Sequence, residues 1–160
     1  MTTIENQIIE TWQINHRTNM LLMNQLTEES LNFSTNPRGG GKIGHQLAHL
    51  YNVRFWKLEA MNKKKITASG LVSIKAKDEK TIAFLEDVHE ISTEFIQQEL
   101  IESIENEGKV KGFKRGLVPL LGYFIHHEAH HRGNILLTLK RSGFKLPDEL
   151  KYGIWEWNKI

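Results

Sequence analysis

Residues 117–141 read LVPLLGYFIHHEAHHRGNILLTLKR, and this stretch decides the fold of the chain. Its apolar residues recur every three or four positions, which is the spacing of one face of an α-helix. Pro119 is tolerated in the first turn of such a helix, and Ser142-Gly143 provides a C-terminal stop. The stretch therefore predicts a long helix from Leu117 to Arg141 that packs one apolar face against other elements.

The same periodicity extends towards the N-terminus and predicts three more long helices. They run from about Thr3 to Leu26, from Lys42 to Asn62 and from Asp78 to Ser103. Asp78 is the expected N-cap of the third of these helices. Residues 36–41, NPRGGG, predict a turn-rich break before the second helix. The lysine-rich residues 63–77, around Gly70, predict a solvated loop before the third.

On the C-terminal side, Pro147-Asp148-Glu149-Leu150 predicts a short final helix. No run of alternating β-branched residues predicts a strand. Four long helices joined by short to medium loops predict an all-α fold, an up-and-down four-helix bundle with a short extra C-terminal helix. The length of 160 residues suits one domain over residues 1–160, long enough to bury a core.

Cysteine is absent from the chain, whereas histidine occurs eight times. The lack of cysteine excludes a disulfide scaffold, a thiolate-ligated zinc site, an iron–sulfur cluster and a thiol nucleophile, so any metal must bind His, Asp or Glu. With 21 basic against 19 acidic residues, the net charge of +2 does not favour a nucleic-acid partner. The sequence has no basic and apolar leader and no apolar segment of membrane-spanning length. We therefore expect a cytoplasmic protein without a membrane partner.

Six of the eight histidines fall in two clusters, one in the second helix and one in the fourth. They are His45, His49, His126, His127, His130 and His131. At 100° per residue, His131 lies about 20° and His127 about 60° from the centre of the apolar face of the fourth helix. His126 and His130 lie on the polar side, towards solvent or a partner subunit. In the second helix His49 has more apolar neighbours than His45. The other two histidines, His16 and His89, are expected to lie on helix surfaces.

A pair of histidines four residues apart on a core-facing side needs polar partners, because burying an imidazole without them is costly. A metal ion bound by both imidazoles would provide that partner. The alternative is that the histidines are structural residues with hydrogen-bond partners in the core. His127 to His131 also reads H-E-x-x-H, the zincin motif with Glu128 as general base, but no edge strand is predicted to hold a peptide substrate. Arg132 and Glu128 lie near the edge of the apolar face of the fourth helix. They are expected either to form an ion pair or hydrogen-bond anchor within the bundle, or to support the metal ligands.

Two segments resemble the DinB/YfiT-like superfamily of four-helix-bundle metalloproteins. Residues 44–54, GHQLAHLYNVR, are similar to the second helix of that family, and residues 127–134, HEAHHRGN, match its H-x-x-x-H-R-G-Q stretch. The ending from Leu146-Pro147-Asp148 to Trp155-Glu156-Trp157 is also family-like. The resemblance implies that the metal ligands are His49, His127 and His131. Asn134 departs from the usual Gln.

Three histidine ligands leave coordination positions open, as in catalytic rather than structural sites. The resemblance implies a metal-dependent enzyme acting on small molecules, either a thiol S-transferase using a low-molecular-weight thiol or a related hydrolase, and often a homodimer. Zinc or nickel is the expected ion, and iron, cobalt and copper also suit imidazole ligands. The alternative is a metal-stabilised binding or stress-response module without turnover. Basic residues at 109–115 suggest nucleic-acid binding, but no aromatic stacking platform accompanies them.

Overall fold

A computed structural model describes residues 3–36 and 41–160. Within them the chain forms five α-helices, one short 3-10 turn at Ser30–Asn32 and no strand beyond an isolated bridge between Val110 and Phe113. The helices are α1 (Ile4–Met23), α2 (Ile43–Ser69), α3 (Ile82–Glu105), α4 (Leu117–Arg141) and α5 (Asp148–Gly153). Each of α1 and α2 packs against both α3 and α4. The predicted all-α bundle with a short C-terminal helix is confirmed.

The capping of α1 and α3 follows local hydrogen-bonding chemistry. Thr3 caps α1, since its hydroxyl accepts from the backbone N–H of Asn6 at 3.2 Å. The prediction that Asp78 caps α3 is wrong, because Thr81 accepts from the backbone N–H of Phe84 at 3.2 Å. Asp78 instead accepts from the backbone N–H of Lys75 at 2.7 Å and closes the preceding turn. Two capping residues three positions apart compete, and the one next to the first apolar residue caps the helix.

Helix α2 is longer than predicted and is kinked where the prediction ended it. Asn62 has non-helical angles, φ −147° and ψ 74°, and its side-chain oxygen accepts from the backbone N–H of Lys65 at 3.3 Å. The helix restarts there and ends at Gly70, whose φ of 75° favours glycine. Residues 63–69 are therefore helical rather than part of a loop. Burial of Ile66 anchors the added turns.

The core consists of two apolar clusters at opposite ends of the bundle. The first includes Leu22, Leu47, Leu50, Leu85, Ile135, Leu139 and Leu150. The second includes Trp12, Leu58, Ile96, Leu100, Leu120 and Phe124. Between them, each long helix contributes buried polar side chains to a layer that we call the polar layer. Its members are Asn15, His16, Asn19, Arg54, His89, Ser92, Thr93 and Glu128.

The polar layer overturns the prediction that His16 and His89 lie on helix surfaces. His16 is 4% exposed and His89 is fully buried. The prediction was wrong because it took only apolar residues as facing inward, whereas the middle of this core is lined by polar side chains. His89 donates from Nε2 to the carbonyl of Leu47 at 3.0 Å, and Nε2 of His16 lies 2.9 Å from the carboxylate of Glu90.

The segment that precedes α2 is only partly described. Of the predicted turn-rich break at 36–41, residues 37–40 lie outside the described residues. Lys42 precedes α2 and makes no side-chain cap hydrogen bond.

Among the described helices, none combines the length and the apolar character that crossing a bilayer requires.

Candidate metal centre

Helices α2 and α4 bring His49, His127 and His131 together, and we call these three residues the histidine triangle. One ring nitrogen from each lies within 4.8 Å of the others, so that the group could hold a metal ion. The ring centroids are 5.1 Å apart for His49 and His127, 5.0 Å for His49 and His131, and 4.8 Å for His127 and His131. The three rings therefore lie at nearly equal distances from one another.

The closest pair already has the spacing of two ligands of one ion. The Nε2 atoms of His49 and His127 are 3.2 Å apart. Two nitrogens bound tetrahedrally to one zinc ion at about 2.0–2.1 Å lie about 3.3 Å from each other. The donor set consists of imidazole nitrogens alone, which suits zinc, nickel, iron, cobalt or copper. The residues present thus fit a divalent transition metal.

Neighbouring side chains orient two of the rings. The Nδ1 atom of His131 lies 3.3 Å from the side-chain oxygen of Gln46. Because that oxygen only accepts, Nδ1 must carry the proton, which leaves the Nε2 lone pair free for a ligand role. Gln46 is fixed in turn, since its amide donates to the carbonyl of Gly41 at 2.8 Å. Tyr123 stacks on His127 with the ring planes 6° apart.

The environment of His127 and His131 favours their neutral form. Burial and the neighbouring His127 and His49 lower the pKa of His131 to about 4. Burial and His49 also lower the pKa of His127. A metal ion binds only neutral imidazole, so these shifts leave both residues competent as ligands at neutral pH.

The remaining histidines of the two clusters lie outside the triangle. His126 and His130 are exposed on α4, as the helical wheel predicts. The amide of Asn134 lies 3.1 Å from Nε2 of His130, so this amide serves an exposed histidine rather than a residue of the triangle. His45 is exposed at the start of α2, and its pKa is lowered by partial burial and by Lys80 and Lys42.

Glu128 lies between His127 and His131 in sequence, but its carboxylate points into the polar layer. It accepts from Arg54 at 2.7 Å and 2.9 Å and from the amides of Asn15 and Asn19 at 2.6 Å each. Burial alone would raise the pKa of Glu128, but the charge and hydrogen bonds of Arg54 outweigh it and lower the pKa to about 2. A carboxylate with four donors and so low a pKa is a poor general base, which argues against the zincin hypothesis.

Arg132 does not pair with Glu128 directly. Its guanidinium donates to the side-chain oxygens of Asn15 at 2.9 Å and Asn19 at 2.7 Å. The same two asparagines donate to Glu128, so they bridge Arg132 to the carboxylate. Glu128 therefore forms its ion pair with Arg54, and Arg132 forms hydrogen bonds with the two asparagines.

Arg54 is the residue that the sequence argument missed. It is fully buried, donates to the carbonyl of His89 at 3.1 Å and to the hydroxyl of Thr93 at 2.8 Å, and lies 4.8 Å above the ring of Trp12. A signal was present in the sequence, because position 54 continues the apolar spacing of Leu47, Leu50 and Leu58. An arginine on such a face requires a buried acidic partner.

One comparison with known proteins identifies the family of the chain. The family model described as "DinB family" matches residues 1–149 of the 160. No curated protein and no solved structure shows significant similarity to the chain. Because the matched region includes all four long helices and every residue of the histidine triangle, the chain belongs to the DinB family.

Proposed function

We propose that this protein is a metal-dependent enzyme whose ligands are His49, His127 and His131, and that it is a thiol S-transferase acting on small molecules. The observation that carries the proposal is the histidine triangle itself, three imidazoles from two helices around one point. Membership of the DinB family supports it, since the resemblance of the two motif segments implies a metal-dependent thiol S-transferase or a related hydrolase.

An open site distinguishes a catalytic metal centre from a structural one, which has four protein ligands. Among the described residues, the triangle offers three nitrogens and no fourth His, Cys, Asp or Glu ligand. A divalent ion bound there lowers the pKa of a coordinated thiol or water and so supplies a nucleophile near neutral pH. The partial exposure of the three rings leaves room for a small substrate to approach.

The surrounding residues hold the triangle in place. Gln46 fixes the tautomer of His131, and Tyr123 stacks on His127. Glu128, held by four donors, anchors α4 at the position next to His127. Ligands held in this way lose little entropy on binding a metal. The chain has no cysteine, so the sulfur of a thiol transfer must arrive with a substrate.

Zinc or nickel is the metal we propose, and a low-molecular-weight thiol is the co-substrate. A related hydrolase would use the same open position for water in place of the thiol. The test is a screen of the metal-loaded protein with several thiols against chlorodinitrobenzene and monobromobimane. Conjugation that requires the metal and is abolished in His49→Ala supports the transferase, and metal-dependent ester cleavage without conjugation supports the hydrolase.

A metal-stabilised module without turnover is the second candidate, and the placement of the triangle favours it in one respect. His49 lies on α2 and the other two residues lie on α4, so a bound ion would cross-link two helices of the bundle. Anything that binds only the folded state stabilises it. A large metal-induced rise in melting temperature together with no conjugation and no hydrolysis would establish this alternative.

We also propose a homodimer. The exposed His126 and His130 lie on the outer side of α4, where a second copy could pack beside the site. Light scattering tests this directly, since a mass twice the 18.6 kDa of one chain is expected and the mass of a single chain would exclude it.

A further inference from the structure

An apolar cavity of about 340 Å³ lies next to the histidine triangle, between α2, α4 and the connection that precedes α4. We call it the aromatic cavity. Its walls include Trp56, Lys57, Met61, Phe113, Leu120 and Tyr123. The mechanism proposed above does not use this cavity. Its volume lies at the small end of the range of ligand pockets, which suits a molecule of one or two rings.

The cavity wall depends on a close approach of backbone to backbone. Gly112 has φ 75°, and a Cβ atom at this position would lie 2.8 Å from the carbonyl oxygen of Ala60. Glycine therefore lets the connection lie directly on α2. This approach places Phe113 beside Tyr123, with ring centroids 6.5 Å apart, and both rings line the cavity.

Lys57 is the one cationic side chain among the residues that line the aromatic cavity. Its Nζ atom lies 4.7 Å from the ring centroid of Tyr123 and 5.3 Å from that of Phe113. It forms no ion pair and no hydrogen bond with any residue that the structure describes, whereas Lys65, two turns further along α2, contacts both Glu99 and Glu102. An ammonium group held against aromatic faces without a carboxylate is complementary to an anion.

The cavity and the histidine triangle lie along one groove between α2 and α4. Val53 lines the cavity one helical turn after His49, and Tyr123 both lines the cavity and stacks on His127. The Nζ atom of Lys57 lies 4.7 Å from the ring centroid of Tyr123, and that centroid lies 5.9 Å from the ring centroid of His127. A two-ring ligand anchored at Nζ therefore extends along Tyr123 towards the triangle.

The opposite end of the groove differs in character. There a second cavity of about 420 Å³ is lined by neutral side chains around His131, such as Gln46, Asn134 and Thr138. Its described lining carries no lysine or arginine. Charge thus distinguishes the two ends, and only the aromatic cavity offers both ring surfaces and a cation.

We propose that the aromatic cavity binds an aromatic carboxylate, with its ring against Trp56, Phe113 and Tyr123 and its carboxylate on Nζ of Lys57. This inference rests on the proposed function in one respect, since it makes such a compound the substrate whose reacting end faces the histidine triangle. The binding itself depends only on the cavity, and it holds in the protein without metal.

Calorimetric titration of the full-length protein with 2-naphthoate, with and without metal, tests the proposal. We expect naphthoate to bind in both states and the neutral 2-naphthamide to bind roughly tenfold more weakly, because it lacks the charge. Lys57→Met should reduce naphthoate affinity to that of the amide, whereas the matched variant Lys140→Met, an exposed lysine of α4, should leave it unchanged. Thermal unfolding of Lys57→Met shows that the variant is folded.

His131→Ala separates this proposal from the proposed function. Naphthoate binding that survives in His131→Ala and in metal-free protein supports the aromatic cavity, even if the protein fails every turnover assay. Equal affinities for naphthoate and naphthamide, or unchanged naphthoate affinity in Lys57→Met, would overturn the inference. Binding that occurs only with metal and disappears in His131→Ala would also overturn it, because the carboxylate would then be a ligand of the ion.

Discussion

Glu128 and Arg54 form a doubly hydrogen-bonded ion pair at the centre of the bundle, with distances of 2.7 Å and 2.9 Å and side chains that are 1% and 0% exposed. The pair belongs to the polar layer between the two apolar clusters, and Glu128 is next to His127 of the histidine triangle in sequence. It therefore joins the interior of the fold to the helix segment that supplies His127 and His131.

Removal of Arg54 should destabilise the protein strongly. Arg54→Met leaves the buried Glu128 carboxylate without its counter-charge, and we expect a loss of about 3–5 kcal/mol in the free energy of unfolding. Urea unfolding of the metal-free protein measures this change. Lys109→Met is the matched control, because its pair with Glu107 is exposed and should contribute about 0–1 kcal/mol. The double variant Arg54→Met with Glu128→Gln should recover part of the loss, and a loss below about 1 kcal/mol in Arg54→Met would contradict this account.

Acid should destabilise the fold through His89. Burial, with the charge of Arg54, lowers its pKa to about 3, so the folded protein holds the neutral form. An unfolded chain binds that proton near pH 6.5, and stability therefore falls as pH drops from about 6.5 towards 3, by up to about 1.4 kcal/mol per pH unit. His89→Gln removes the titrating group and should flatten this part of the profile.

The control for the pH profile is His126→Gln, which replaces an exposed histidine of α4. Its urea midpoint between pH 7 and pH 4 should follow that of the wild-type protein. Parallel profiles for wild type and His89→Gln would show that the proton on His89 does not contribute.

Thr81 rather than Asp78 should carry the capping energy of α3. Thr81→Ala removes the acceptor for the backbone N–H of Phe84 and should cost about 1 kcal/mol. Asp78→Ala breaks only a turn hydrogen bond and should cost less than half as much. Thermal unfolding of the two variants compares them, and a larger effect of Asp78→Ala would restore the cap predicted from sequence.

Gln46 should tune metal affinity, although it is not a ligand. Gln46→Met removes the acceptor for Nδ1 of His131 and should weaken zinc binding about 10–100-fold. Competition with a chromophoric chelator measures the affinity. Asn134→Met is the control, because its amide contacts His130 outside the triangle and its loss should change zinc affinity little. A larger effect at Asn134 than at Gln46 would show that the second amide, not the first, supports the site.

The long helices were predictable because their apolar residues keep a period of 3.6 over many turns, as between Leu117 and Leu139. The inward position of His127 and His131 followed from the same wheel. The kink at Asn62 was not predictable, since a side-chain cap inside a helix leaves the apolar pattern intact on both sides. The cap of α3 was ambiguous because Asp78 and Thr81 both suit that role.

The polar layer shows the physical limit of pattern analysis. His89 and Arg54 are fully buried, although histidine and arginine are residue types that a ranking by hydrophobicity places outside. Their burial follows from partners on other helices, such as Glu128 and the carbonyl of Leu47, and those contacts exist only in the folded chain. The same holds for Gln46, whose contact with His131 joins α2 to α4.

Metal content of the purified protein tests the central claim most directly. Wild-type protein produced without a metal-binding tag should carry about one transition-metal ion per chain. His49→Ala, His127→Ala and His131→Ala should each lose it, whereas His126→Ala and His130→Ala, which replace exposed histidines of α4, should retain it. Unchanged metal content in both His127→Ala and His131→Ala would contradict the assignment of the histidine triangle as a metal site.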